Sequence, residues 1–284
     1  MLRSMFAGVA GLRSHQTMLD VTSNNLANVN TTGYKASRTT FQDTLYQTVR
    51  GGTGGVLATN GGVNPLQLGL GVSVGSVDGV FSQGSSQITN RGTDVAIQGE
   101  GFFVVQGTNG GQMFTRAGSF GWDSAGNFVT PNGDLVVGWN GSAPPDATAP
   151  NTAGASGPIS VAPADLANIS DVGIAADGTI TGRDDTGTVV YLGTIALATF
   201  MNVGGLNRVG ETMFAASPAS GAPDIGAAGT AARGDMQGGA LEMSNVDISQ
   251  EFTQLIMAQR GFQANARTIT TSDEILQEVV NIKR

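Results

Sequence analysis

The sequence has no cysteine, a single histidine, and few charged or aromatic residues, 13% and 6% of the chain respectively. Lack of cysteine excludes thiol catalysis, CxxC redox chemistry, thiolate metal sites and disulfide staples together. One histidine, His15, leaves no second imidazole for a metal pair, and its place in an amphipathic stretch reads as a surface or interface residue. With 14 Lys and Arg against 22 Asp and Glu, the formal net charge is −8. No basic field therefore steers the chain toward nucleic acid. No run of about 18 uncharged apolar residues occurs, so no transmembrane segment is expected. The opening Met1 to Arg13 has only a short apolar stretch closed by Arg13, and amphipathic periodicity continues beyond it, so signal-peptide cleavage is not expected.

Glycine, by contrast, is abundant: 43 of 284 residues. Many tight turns and short strands follow from that, in a chain long enough to bury a core without staples. The two ends are different. Leu2, Met5, Val9, Leu12, Gln16, Leu19, Ser23 and Leu26 form an alternating three-four series, which is heptad spacing. Ile248, Phe252, Leu255, Gln259, Phe262, Ala266, Ile269, Asp273, Leu276 and Val280 repeat it at the other end. Both termini are predicted to be helices with apolar seams. Asp247 and Gln250 after Ser244-Asn245 resemble a capping box that starts the second helix, and the first should end between Asn28 and Gly33. Burying a seam side chain contributes roughly 2 kcal/mol, while ordering each residue costs about 1–2 kcal/mol of backbone entropy. Such helices need partners, either each other or neighbouring chains.

Between the helices the pattern changes to β-prone runs bounded by Asp78-Gly79, Asn132-Gly133, Asn140-Gly141 and Asp177-Gly178. The predicted fold class is mixed: terminal α-helices pairing as a coiled coil around a mainly-β central domain. Predicted strands run over residues 94–98, 102–106, 113–116, 128–130, 135–139, 173–175 and 195–200. The domain organisation expected is a terminal-helix core from 1–34 and 240–284, an extended connector over 35–75, and a β domain over 76–239. A surface excursion is expected at about 141–163, where Ala and Pro accumulate.

A search for chemistry finds little. Asp184-Asp185 sits in a turn-like Gly182 to Gly187, and Asp123 to Asn127 lacks the alternating acids and distal glutamate of a calcium loop; both read as hairpin turns. Gly69 to Gly75 departs from the GxGxxG spacing of a phosphate-cradling loop. There is no GxSxG, HExxH or Walker sequence, no candidate catalytic residue, metal site or cofactor, and no fixed-period repeat of the kind a polysaccharide-degrading β-solenoid would show. An enzyme is not expected.

Three stretches carry a resemblance. Asn24-Asn25-Leu26-Ala27-Asn28, followed by Gly33-Tyr34-Lys35, is similar to the N-terminal signature of flagellar rod and hook proteins. Its physical content is a helix ending in a turn of residues that tolerate left-handed backbone. Asp94 to Val105 followed by Phe114 to Phe120 resembles the start of that family's β domain. Gly239 to Asp247 and Ala258 to Ala266 resemble its C-terminal helix, and the likeness runs to Arg284. The resemblance implies a structural subunit of a helical homopolymer, a tube with the terminal helices on its inner wall, exported by the flagellar type III apparatus without cleavage. Met1 to Ser4, Glu251 to Ile256 and Asn281 to Arg284 look closest to short hook proteins of the Gram-positive kind. The expected function is then the hook, a bendable coupling that passes torque from rod to filament around an export channel, with the distal rod protein as the alternative. Partners implied are the distal rod protein, the hook cap and the hook–filament junction proteins.

Overall fold

Asp247 starts the C-terminal helix as the sequence suggests: its Oδ1 accepts from the backbone N–H of Ser249 (2.8 Å) and Gln250 (3.2 Å), two of the donors a helix start leaves orphaned. In the computed structural model of the chain, which describes residues 2–55, 61–107, 110–140, 156–166, 168–230 and 232–282, that helix runs Ile248–Ile282 and an N-terminal helix runs Leu2–Ala27. The chain divides into two units. The first contains Met1–Ala27, Ser37–Val80 and Asp247–Arg284; the second contains Asn28–Ala36 and Phe81–Val246.

In the first unit four strands, β1 (Ser37–Asp43), β2 (Tyr46–Arg50), β3 (Leu66–Gly69) and β4 (Val72–Gly79), form an antiparallel ribbon. β1 pairs with β4 from Ser37↔Gly79 to Asp43↔Val72, and β2 pairs with β3 from Tyr46↔Gly69 to Arg50↔Leu66. A bond from Thr44 N–H to the Gly71 carbonyl (3.0 Å) joins the two halves. Residues expected as an extended connector are thus paired strands, because cross-strand backbone bonds need no large side chains. Asp78-Gly79, expected as a turn, closes β4 instead, with Asp78 opposite Arg38 and the two charges complementary. The Gly69 to Gly75 stretch spans the β3–β4 join and carries no phosphate-loop geometry.

The second unit holds β5 (Ser86–Ile88), β6 (Val95–Gln98), β7 (Phe102–Gln106), β8 (Gln112–Thr115), β9 (Gly121–Trp122), β10 (Phe128–Val129), β11 (Leu135–Trp139) and β12 (Gly157–Pro158). A one-turn helix, Pro163–Leu166, leads to β13 (Ile169–Ile174), β14 (Thr179–Asp184), β15 (Val189–Ile195), β16 (Leu197–Thr199), β17 (Asn207–Gly210), β18 (Met213–Ala215), β19 (Asp224–Gly226), β20 (Asp235–Gly238) and β21 (Ala240–Glu242). Most of these build one curled sheet with the order β13-β14-β15-β11-β7-β8-β18-β17. The seven runs predicted from sequence all contain strand residues. Asn132-Gly133, Asp177-Gly178, Asp123 to Asn127 and Asp184 to Gly187 form turns between strands. Asn140-Gly141 extends beyond the described residues.

β7 explains the core. Its Phe103 and Val105 lie in one buried cluster with Val136, Ile159 and Ile195, while Phe102 and Val104 lie in another with Phe114, Val137 and Trp139. Alternation along β7 places successive side chains on opposite faces, and both faces are covered, so the strand reads as a continuous apolar run. Of the expected surface excursion, residues 141–155 lie outside the described residues. Its end is corrected to core: Gly157-Pro158 pairs with β11, and Ile159 is fully buried against Gly138 and Gly193.

Candidate assembly site

The terminal helices run antiparallel in contact along a line of small and polar residues. Ser4 Oγ lies 3.4 Å from Ser272 Oγ, and a Cβ at Gly8 would stand 3.2 Å from Ile269 Cγ1. One at Gly11 would meet the Asn265 amide at 2.8 Å, and one at Gly261 would collide with the His15 ring. A larger residue at any of these positions would have to displace a side chain of the facing helix. Further along, Asn25 Nδ2 donates to Glu251 Oε1 (3.2 Å) and to the Ser37 carbonyl (2.8 Å), while its Oδ1 accepts from Ser37 N–H (2.9 Å). Ser4, Gly8, Gly11, His15, Met18, Thr22 and Asn25 are themselves spaced alternately four and three. His15, expected at a surface or interface, is half-buried, with its ring 5.7 Å from that of Phe41.

The predicted apolar seams lie beside that line, in part half-buried and in part exposed. On the N-terminal helix Met5, Leu12, Leu19 and Leu26 are half-buried, and Val9 and Gln16 are exposed; the side chain of Leu2 lies outside the described residues. On the C-terminal helix Leu255, Ala266, Ile269 and Leu276 are half-buried, while Ile248, Phe252, Gln259, Phe262 and Val280 are exposed. Ile269 is shared with the contact through Gly8. Phe6, Ile256, Met257, Ile275 and Val279 enlarge the uncovered apolar surface. Burial raises the Glu251 carboxyl above its ordinary value, opposed by the Asn25 bond, and its Oε2 has no hydrogen-bond partner.

The N-terminal signature turns out to be a junction. Asn24 is exposed and Ala27 ends the helix; Asn28 Oδ1 accepts from Thr31 Oγ1 (3.1 Å) in the turn that follows. Gly33 has φ +68°, and a Cβ there would strike the Ala117 backbone, so two independent constraints demand glycine. The Arg208 guanidinium stacks over the Tyr34 ring at 5.5 Å and donates to the Lys35 carbonyl at 2.7 Å. Lys35 itself is 1% exposed. Its Nζ donates to Glu242 Oε1 (2.6 Å) and the Ser82 carbonyl (2.8 Å). Burial lowers its pKa, with the Glu242 bond opposing. Arg116 NH1 reaches Glu242 Oε2 at 3.2 Å, and the Gly84 N–H donates to Oε1 at 2.9 Å. Sequence reasoning missed Glu242, Arg116 and the small-residue line; only the four-three spacing of Ser4, Gly8, Gly11 and His15 signalled the last.

A cavity of about 300 Å³ in the second unit is lined by Thr31, Thr115, Ser119, Thr130, Asn132 and other residues, with Glu211 its sole ionisable side chain, so it offers no acid–base pair. Among the described residues no His, Asp and Glu cluster could hold a metal. Among the described residues no helix is long and apolar enough to cross a membrane either.

Glycine-lined helix contacts, uncovered apolar helix faces and a densely packed β unit define a structural subunit. Family models agree and place it: the flagella basal body rod protein model matches residues 5–35, the flagellar hook protein FlgE/F/G D1 domain model 96–182, and the flagellar basal body rod FlgEFG protein C-terminal model 237–282. The chain is 43% identical to the flagellar basal-body rod protein FlgG of Bacillus subtilis (strain 168) over 285 residues, all of both chains. It is 35% identical to the FlgG of Agrobacterium fabrum (strain C58 / ATCC 33970) over 277 residues, 96% of this chain and 97% of the relative. Against the flagellar hook protein FlgE of Borreliella burgdorferi (strain ATCC 35210 / DSM 4680 / CIP 102532 / B31) it is 30% identical over a 444-residue alignment spanning both chains. The chain belongs to the FlgE/F/G family of flagellar rod and hook proteins. Members of this family are structural components of the flagellar basal body and hook that form homopolymers, not enzymes. The expectation of a hook protein is the less supported of the two, since rod proteins match at higher identity and at this chain's own length.

Proposed function

We propose that the chain is a distal rod subunit of the flagellar basal body. The observation that carries this is the 43% identity to a rod protein over 285 residues without large insertion, whereas the hook relative needs a 444-residue alignment. In the tube, neighbouring copies would cover Met5, Val9, Leu12, Phe252, Phe262 and Val280, and coiled-coil pairing of terminal helices would occur across or along these faces. Open head-to-tail contacts of that kind generate helical polymers. A copy reaches its place through the flagellar export apparatus, and its axial neighbours are other rod and hook proteins. Labelled antibody on purified hook–basal bodies tests the assignment: label within the rings is expected, and label confined between the outer ring and the filament would instead restore the hook reading.

A further inference from the structure

One carboxylate holds together the two segments that lead into the terminal helices. Glu242, at the end of β21, is 1% exposed and uses both oxygens: Oε1 accepts from Lys35 Nζ and Gly84 N–H, and Oε2 from Arg116 NH1. Its three partners lie 207, 158 and 126 positions away. Around it, Gly33 N–H donates to the Glu242 carbonyl (2.8 Å), Ala36 N–H to Asn245 Oδ1 (2.8 Å), and Met243 N–H to the Ser85 carbonyl (2.9 Å). The segment following the N-terminal helix is thereby fastened to the segment preceding the C-terminal helix.

We propose that Glu242 is an assembly clasp, a positioning residue whose charge keeps both helix-bearing ends together so that one copy delivers its two helices to the polymer as a pair. This rests on the assembly reading above. Lys35 and Glu242 stand outside the apolar clusters that fill the sheet, and Arg116 touches them only at the edge, its guanidinium 5.4 Å over the Phe102 ring, while Phe103, Phe114, Ile195 and their neighbours carry the core. Opening the clasp therefore frees the two segments while the sheet keeps its core. Two cations face one carboxylate, so neutralising Glu242 removes the one acid that both Lys35 and Arg116 contact, leaving Arg116 only the more distant Glu100, and both segments must move to hydrate the two cations.

The test is Glu242→Gln, isosteric but neutral, in the full chain. Amide exchange of Gly33, Ala36 and Met243 should accelerate roughly a hundredfold, while Val104 and Phe114 change less than about threefold. Polymerisation should require at least about tenfold more protein. Lys35→Met, which leaves a neutral Arg116–Glu242 pair and so a gentler disturbance, should give the same selective release at smaller amplitude. Equal acceleration across the sheet in both variants would make the carboxylate an ordinary part of the core and overturn the proposal. Selective release with unchanged polymerisation would overturn it as well. A Phe252→Asp/Phe262→Asp chain run alongside tests the helix faces separately: if it polymerises normally the assembly reading fails, whatever Glu242→Gln does.

Discussion

The two units of this chain spend their apolar residues in opposite ways. In the β unit Phe102, Phe103, Val104 and Val105 are all buried, because both faces of the curled sheet are covered by residues of the same unit. In the helical unit the contact between the helices is made by Gly8, Gly11, Gly261, Ser4 and Ser272, and Phe6, Phe252, Met257 and Val280 are left uncovered. Small residues let two helices approach closely, yet they remove little apolar surface from water. The helical unit is therefore held in part by close approach and polar bonds, with its leucines only half-buried and much apolar area left exposed. The ribbon repeats the pattern, with Leu45 82% exposed and Tyr46 and Val49 also outside. A two-stranded ribbon with uncovered apolar side chains is marginal by itself. One unit is finished within a single copy and the other is not.

Substitutions should respect that division. The largest effect on the monomer is expected from Phe103→Ala: a fully buried ring packed edge-to-face with Phe120 at 5.1 Å is lost, and the β unit should be destabilised by about 3–5 kcal/mol in denaturant titration. Gly33→Ala comes next. Left-handed backbone plus a collision with the Ala117 backbone should cost about 2–4 kcal/mol in the same measurement, with little relief from side-chain movement because the obstacle is main chain. A smaller effect, of opposite sign, is expected at Glu251. Its folded-state pKa lies above the ordinary 4.5, so its contribution to stability is complete below that value and is lost as pH rises through the raised one. Glu251→Gln should then melt higher than the parent near pH 7 and converge with it in acid, as followed by far-UV circular dichroism. Phe252→Asp with Phe262→Asp, at positions 49% and 37% exposed, should weaken the monomer less than Phe103→Ala and show its main effect in assembly, as loss of polymer by sedimentation and electron microscopy.

Much of the architecture was legible because it is local. Asp247 marks the C-terminal helix start by a capping interaction over three residues, and the β7 and β11 runs announce themselves by β-prone composition between turns. Asn24 to Lys35 was legible as a helix exit. What the residues could not disclose is which partner each face meets. Heptad spacing picked out Leu12, Phe252 and Phe262, but two heptad lines coexist on the N-terminal helix, and small residues on one of them allow the closer packing. The ribbon was overlooked although Thr39, Thr40, Thr48, Val49, Val72, Val74 and Val77 are β-prone, because the glycines between residues 51 and 75 made the whole stretch read as a connector. Glu242 was hidden because its partners are far apart in sequence and no local pattern links them. The hook expectation leaned on short similarities at the two ends, whereas the full-length match favours a rod protein.

The central claim, that the β unit is complete in one copy while the helices await neighbours, is tested most directly by amide hydrogen exchange on monomer and polymer. The account predicts that in the monomer Val104, Phe114 and Ile195 exchange only on global unfolding, and that residues of Leu2–Ala27 and Ile248–Ile282 exchange through much easier opening and become protected on polymerisation. Protection of both helices in the monomer equal to that of β7, with no further gain in the polymer, would contradict it.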